Sequence, residues 1–350
     1  MIHNIKINNF KGLNSFTVKN LSKLTIIGGK NNCSKTSILE ALFMLFNMND
    51  FTVLHKIYNY RGINLIPIDI KYTFNSFFYD FNLEKKVNIN INSNLKGYQE
   101  EGIALSFEKN YIRKMSNIQM NTNISTEALK VEYLRGSSSF GEMYITVAQQ
   151  QGFNIEIKKP IDINKKSVMF FPARIASNYE ENSERFGRLE LKNSTDGIIE
   201  ILKIFVPTLK SLATIKIGPT SMIYADIGKN EKVPLSSMGD GITRLFSIIL
   251  AIATNEDGII LIDEIENGLH YSVIKEVWKG IAKASEDFNC QVICTTHSHE
   301  FLSYVNETIK ENNISDFSYI RLDRKDNEIF GKHFTKELLS LALFNDMEIR

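Results

Sequence analysis

The feature that most constrains this chain is a glycine-rich turn, Gly28-Gly29-Lys30-Asn31-Asn32-Cys33-Ser34-Lys35-Thr36, set between an apolar strand over 24–27 and an apolar helix. A strand-turn-helix of this composition is a phosphate cradle. Backbone N–H groups wrap the phosphates, and the helix N-terminus adds a favourable dipole. The binding segment is Gly29, Lys30, Asn31, Asn32, Cys33, Ser34, Lys35, Thr36 and Ser37, with Lys35 reaching the outer phosphates and Thr36 offering magnesium a hydroxyl. The position before the lysine is commonly glycine and here is Ser34, whose Cβ would crowd a closely approaching phosphate. That departure bears on turnover more than on binding.

Far downstream, Gly258-Ile259-Ile260-Leu261-Ile262 runs into Asp263 and Glu264. A buried strand with two carboxylates at its tip suits a magnesium ligand, Asp263, and a base that orients or deprotonates water, Glu264. Together the two elements imply an α/β nucleoside triphosphatase built on a phosphate-binding loop. A third element, Leu235-Ser236-Ser237-Met238-Gly239-Asp240-Gly241, opens a helix over 242–254. Two readings of it stand. Ser236, Ser237, Gly239, Asp240 and Gly241 form a second anion site, which a dimer would use by offering the loop to the γ-phosphate held by its partner, or Ser or Asp simply caps the helix. A fourth, Thr295-Thr296-His297-Ser298-His299, follows a strand over 291–295; it places His297, or less directly His299, to sense the γ-phosphate, the alternative being an ordinary polar loop.

The remainder is ordinary for a globular protein: 350 residues, 43% apolar, 23% charged, and 41 basic against 40 acidic side chains, so any basic surface is local. Residues 1–10 read as neither a signal peptide nor a membrane span, and the expectation is a cytoplasmic protein with no membrane association. Cys33, Cys290 and Cys294 lack paired metal-ligand spacing and read as reduced thiols.

Along the chain, residues 1–60 read as two short strands, the turn, and a helix with Ile38, Leu39, Leu42, Phe43 and Phe46 on one face. Strand-like stretches over 86–91, 129–133 and 144–147 suggest an inserted, mostly antiparallel β lobe over 61–164. A buried strand follows at 168–171, then a helical stretch over 178–212 and a hairpin over 214–233 turning at Gly218-Pro219. Helices over 242–254, 272–285 and from 300 onward alternate with strands over 259–262 and 291–295, which implies a parallel sheet flanked by helices. The expected organisation is one domain over 1–350: a nucleotide-binding core from 1–60 and 165–334 with a helical lobe at about 176–212, the β lobe, and a C-terminal helix and tail over 335–350.

Taken in order, these motifs resemble the heads of ABC-type ATPases, specifically the SMC/RecF/OLD-like branch of AAA-family ATPases found in prokaryotic phage defence. Further matches are Ile7-Asn8-Asn9-Phe10-Lys11-Gly12, Met238-Gly239-Asp240-Gly241 with Arg244, and Asp263-Glu264-Ile265-Glu266-Asn267-Gly268-Leu269-His270. The resemblance implies ATP with Mg2+, a D-loop at Asn267 to His270 that signals between subunits, and a homodimer or higher oligomer through shared ATP sites. It assigns no lobe-bridging glutamine; Gln149, Gln150 and Gln151 qualify by composition alone. Relatives often work with a Toprim-type nuclease, fused or separate. The chain ends about fifty residues after His297, too few for such a domain, so a nuclease or other effector is expected on another polypeptide. Two other functions compete: a nucleotide-gated scaffold with little turnover, motivated by Ser34, and a transporter's nucleotide-binding subunit, opposed by about two hundred residues between the phosphate loop and Ser236. Lys158, Lys159, Lys165, Lys166, Arg174, Arg185 and Arg188 form either a local nucleic-acid surface or a solvated face.

Replacing Lys35 by Ala is expected to abolish nucleotide binding. Titration with a fluorescent ATP analogue checks this, and wild-type affinity in the variant would refute the phosphate-loop reading.

Overall fold

The computed structural model describes residues 1–48, 50, 52–63, 67–93, 100–117, 120–148, 152–160, 166–173, 179–345 and 347–349, with backbone alone for 113–117 and 120–125. Gln149, Gln150, Gln151, Lys165 and Arg174 lie outside the described residues. The first elements are β1 (Ile2–Phe10), β2 (Leu13–Val18), β3 (Leu24–Gly29) and α1 (Lys35–Asn47). Then come α2 (Thr52–Tyr60), α3 (Ile70–Phe74), β4 (Val87–Ser93), β5 (Glu100–Asn117), β6 (Met120–Arg135), β7 (Ser138–Val147) and β8 (Phe153–Lys159). Two compact units result, one of residues 1–20, 31–165 and 322–332, the other of 21–30, 166–321 and 333–350.

The first unit is organised by a seven-stranded antiparallel sheet in the order β2-β1-β4-β5-β6-β7-β8. Alternation decides which face is buried. Val87, Ile89 and Ile91 of β4 are buried while Asn88 and Asn90 face the other way. Ile7 pairs with Ile89, Ile89 with Ile103 and Leu105 with Val131, so one apolar face runs across the strands. Each such side chain contributes about 1.5–3 kcal/mol when buried, and a one-residue slip would expose the whole set. β1 and β2 thus belong to the antiparallel sheet. Helix α1 packs on β1 and β4, and its run from Ser37 to Phe46 is buried on all sides. The helical segments α2 and α3 were not anticipated; Phe74 and Phe77 stack at 6.1–6.4 Å in a cluster with Phe10.

Inside this unit α1 carries a fully buried carboxylate, Glu40. Lys11 Nζ lies 2.6 Å from its Oε2, and Arg61 grips both oxygens through Nε at 2.6 Å and Nη2 at 2.7 Å. Burial opposes its ionisation, but the two cations hold Glu40 below the usual carboxylate range. Burial pulls Lys11 down to about 8, so the ammonium is still charged at neutral pH.

The second unit adds β9 (Val168–Phe171), α4 (Tyr179–Leu191), α5 (Asp196–Lys203), β10 (Ser211–Ile217), β11 (Thr220–Asp226), β12 (Val233–Pro234) and α6 (Asp240–Ala253). β13 (Ile259–Ile262), α7 (Ile274–Asp287), β14 (Gln291–Thr295), α8 (His299–Glu311), β15 (Phe317–Lys325), β16 (Glu328–Phe334) and α9 (Lys336–Phe344) complete the chain, residues 322–332 of β15 and β16 counting with the first unit. A six-stranded sheet has the order β16-β15-β3-β14-β13-β9, and its strands β3, β14, β13 and β9, all of the second unit, are parallel neighbours. β3, β13 and β14 are buried along their full length, as parallel strands covered on both faces must be. Trp278 of α7 anchors one side, fully buried and edge-on to Phe301 and Phe317.

Where the sequence predicts one helical stretch over 178–212, the structure has two helices and the start of β10. Asn193 takes φ 52°, and the Ser194 N–H bonds to Leu189 O at 3.0 Å while the Asn193 N–H bonds to Glu190 O at 3.0 Å. This paired closure with a left-handed asparagine ends α4. The hairpin of β10 and β11 does turn at Gly218, φ 63°. Cys33, Cys290 and Cys294 are buried free thiols, and burial pushes Cys290 up to about 11.

Glu40→Gln leaves two cations facing a neutral amide and is expected to cost about 3 kcal/mol of stability at neutral pH. Because the folded pKa of Glu40 is depressed, its contribution is complete above the ordinary carboxyl value of 4.5 and is lost as pH falls through the folded value. Denaturant unfolding of wild type and variant across this range should show the gap narrowing below pH 4.5; a gap independent of pH would refute it.

Candidate functional site

Parallel strands deliver their carboxyl ends to one edge, and that edge of the second unit collects the polar residues found by motif. β3 ends at Gly29, β13 at Ile262 just before Asp263, and β14 at Thr295 just before Thr296 and His297. The strands are tied at their ends as well as along their length. Thr296 N–H donates to Ile27 O and Ile265 N–H to Thr295 O, both at 3.0 Å.

From this edge the phosphate loop departs through an exposed Lys30, Asn31 and Asn32, while Cys33 is buried. Gly29 has φ 145°, Asn32 φ 64° and Ser34 φ 58°, so the loop winds through backbone states that side chains resist. Ser34 occupies the left-handed position where glycine would be unstrained, at a cost of about 1–2 kcal/mol. Its hydroxyl is admitted by Gly12: a Cβ built there would stand 2.3 Å from Ser34 Oγ. Gly28 is constrained similarly, since a Cβ would meet Tyr319 Oη at 2.1 Å. Lys35, Thr36 and Ser37 open α1 in the first unit.

In the second unit Asp263 is buried, and its Oδ1 accepts the Thr295 hydroxyl at 2.6 Å. Thr295 Oγ1 in turn accepts the Glu264 N–H at 2.8 Å. One hydroxyl therefore fastens both acidic residues. Glu264 itself is left-handed, φ 44°, a strained state held by its surroundings. Arg244 of α6 helps to hold it: Nη2 donates to Asp263 O at 2.8 Å and Glu264 O at 3.1 Å, and Nη1 to Ala173 O at 3.2 Å. Burial draws the Arg244 pKa down, while Asp263, Glu266 and Glu264 oppose the shift and the guanidinium stays charged. His297 is half exposed, with Nδ1 at 3.2 Å from Glu266 Oε1 and 4.0 Å from Glu264 Oε1. His299 is instead the first residue of α8, whose cap is Ser298.

The segment before α6 forms a short helical turn, Leu235–Met238, followed by Gly239 at φ 109°. Ser237 Oγ donates to Pro234 O at 2.7 Å, and the cap position of α6 is Gly239, with no side-chain capping bond. Capping by Ser or Asp, one of the two sequence readings, is therefore not how this helix begins. Gly239 and Asp240 are exposed, and Ser236 is half-buried. Gly241 lies against the next motif, where a Cβ would stand 3.0 Å from Gly268 O. In that motif the Asn267 amide donates to Ala173 O at 2.8 Å, and His270 Nδ1 lies 2.9 Å from Ser272 Oγ.

The chemistry of the donors suits magnesium. The Asp263 carboxylate in the second unit and the Thr36 hydroxyl in the first are each hard oxygen groups of the kind magnesium accepts, an ion that takes one or two protein oxygens and fills its other positions with water and phosphate. Motif reading gave Thr295 and Glu266 no role and Arg244 only a place in a pattern. Sequence carried no signal for Thr295: its place follows from the register, in which Ile262 pairs with Cys294 and the next residues, Asp263 and Thr295, face one another.

Known proteins give this chain a family and a fold. The sequence profile of the AAA ATPase domain matches residues 1–186 and 79–302. An ATP/GTP phosphatase of Helicobacter pylori is 25% identical over 344 residues, covering 91% of this chain and 90% of that protein. An uncharacterized protein of Methanocaldococcus jannaschii is 40% identical over 67 residues, 18% of this chain and 31% of that one. Among solved structures, an Smc head bound to the C-winged helix domain of ScpA superposes with a TM-score of 0.53 at 15% identity, covering 95% of this chain and 97% of that one. The Smc head of Pyrococcus furiosus bound to the C-terminal domain of ScpA gives 0.50 at 12% identity, covering 99% and 98%. These structural likenesses establish the fold.

Arg244→Lys keeps the charge but replaces a fork spanning three carbonyls by a single ammonium. Magnesium-dependent phosphate release is expected to fall by about tenfold or more, the effect of losing one to two kcal/mol of positioning, with an unchanged far-UV spectrum. Wild-type turnover would show that the fork is dispensable.

Proposed function

This chain belongs to the AAA ATPase domain family and is an ATPase with the fold of SMC heads, and we propose that two such heads pair over ATP to control a separate partner. In this reading the loop of residues 29–36 holds the phosphates, with Lys35 on the outer ones. Thr36 and Asp263 hold magnesium, Glu264 orients or deprotonates the attacking water, and His297 meets the γ-phosphate. Ser236, Ser237, Gly239, Asp240 and Gly241 serve the nucleotide held by the other head.

The observation that carries the reading is the Arg244 fork. It joins α6, whose exposed N-terminal end has no side-chain cap, to the backbone of Asp263 and Glu264. A helix end that closes on a second head's phosphate would thereby act on the residues that handle water. The SMC-type fold also supports a protein partner, since the Smc heads above bind domains of ScpA. The partner class proposed is a nuclease or other effector in prokaryotic antiviral defence or a DNA transaction, as the motif resemblance implies. Because the Helicobacter relative is named for both ATP and GTP, both nucleotides belong in the test.

One observation favours a slower, scaffold-like protein: Ser34, at φ 58°, stands where glycine would be unstrained. The same experiment separates the two. Magnesium-dependent phosphate release is measured for wild type and Glu264→Gln, with subunit mass recorded with and without nucleotide. Paired heads predict turnover in wild type, a loss of about 10²-fold or more in the variant, and dimers of the variant that require ATP. Association without turnover in either protein would favour the scaffold, and dimers equally abundant without nucleotide would refute the shared site.

A further inference from the structure

Glu266 has no part in the reading above, yet it is the group that holds His297. Its Oε1 accepts the His297 backbone N–H at 2.9 Å and lies 3.2 Å from the ring Nδ1. Glu264 Oε1 stands 4.0 Å from the same nitrogen, outside hydrogen-bond reach. The two acids also differ in setting. The Glu266 side chain is 12% exposed against 39% for Glu264, and its Oε2 is buried without a hydrogen-bond partner. A carboxylate so enclosed is costly unless neighbouring donors and positive charge offset its lost hydration. His297 supplies its backbone N–H and sets ring Nδ1 within hydrogen-bond distance, and Arg244 faces the group from α6.

From this geometry we infer that Glu266 is a positioning residue for the ATPase reaction, fixing His297 with Nδ1–H on the carboxylate and Nε2 as the ring nitrogen available to phosphate or water. The inference rests on the proposal that His297 meets the γ-phosphate. The bond to the backbone N–H sets where the residue after β14 begins its turn, and the bond to the ring sets its tautomer. In the neutral ring Nε2 is then an acceptor. With a second proton on the ring, Nε2–H donates to a phosphate oxygen while Glu266 offsets the charge. Glu264 is left to the water. Two acids two residues apart thus divide the work, because the turn after β13 sends one beneath the histidine and leaves the other at the exposed edge.

Steady-state phosphate release by wild type, Glu266→Gln, His297→Ala and the double variant tests this. Glu266→Gln is expected to lower kcat by about tenfold or more with KM for ATP within about twofold, and the double variant is expected to be no slower than His297→Ala, as for residues acting as a unit. Loss in His297→Ala with wild-type turnover in Glu266→Gln, or additive losses, overturns this inference alone. Wild-type turnover in His297→Ala overturns the role of His297 as well. Histidine-selective 15N NMR on the nucleotide-free full chain supplies a readout that needs no folded Glu266 variant. The sequence has six histidines, and the resonance missing in His297→Ala is assigned to His297. A proton on Nδ1 is expected in wild type; an Nε2–H tautomer with bare Nδ1 overturns the inference.

Discussion

A carboxylate cannot be buried at the end of a strand without a donor, and in this protein the donor is the hydroxyl of Thr295. Its bond to Asp263 Oδ1 at 2.6 Å, and the bond it accepts from Glu264 N–H at 2.8 Å, fix both acids relative to the parallel sheet. The arrangement depends on register. Ile262 opposite Cys294 puts Asp263 opposite Thr295, and a slip of one residue would part the carboxylate from that hydroxyl. Thus the same packing that buries Ile259 to Ile262 also sets the acidic pair.

At several residues of these motifs the backbone is held in conformations it would not choose. Glu264 is left-handed at φ 44°, as are Asn32 and Ser34 in the phosphate loop. Such residues persist only where surrounding contacts over-determine them. For Glu264 the contacts are Thr295 on one side and the Arg244 fork on the other. For Ser34 the neighbour is Gly12, which yields the space a Cβ would fill. Strain and the groups that restrain it therefore coincide with the residues assigned to chemistry.

Arg244 ties α6 to the backbone of the two acids. A planar guanidinium reaches three carbonyls at once, those of Ala173, Asp263 and Glu264, and Ala173 is also bound by Asn267. Movement of α6 or of the turn at Asn267 would be felt at the same carbonyls.

Much of this was legible before any coordinates. The phosphate loop, the strands over 259–262 and 291–295 and the helix opening near Gly239 announce themselves through local rules: apolar runs of strand length, glycine where the backbone must turn, and polar residues at strand tips. The AAA ATPase family and the α/β fold followed from the order of those motifs. What sequence did not show is which distant residues meet. The placement of β1 and β2 in the antiparallel sheet, the break at Asn193, the Glu40 network and the helices α2 and α3 all depend on partners remote along the chain. The same holds within the site. Motif reading singled out Glu264 and preferred His297 to His299 but gave Glu266 no role, and only tertiary packing gave Glu266 to His297. It also made His299 the start of a helix and turned a lone arginine into a three-way clamp. Local patterns determine elements because their rules span a few residues. Partners are decided by packing, because burial and hydrogen bonding are satisfied in space rather than along the chain.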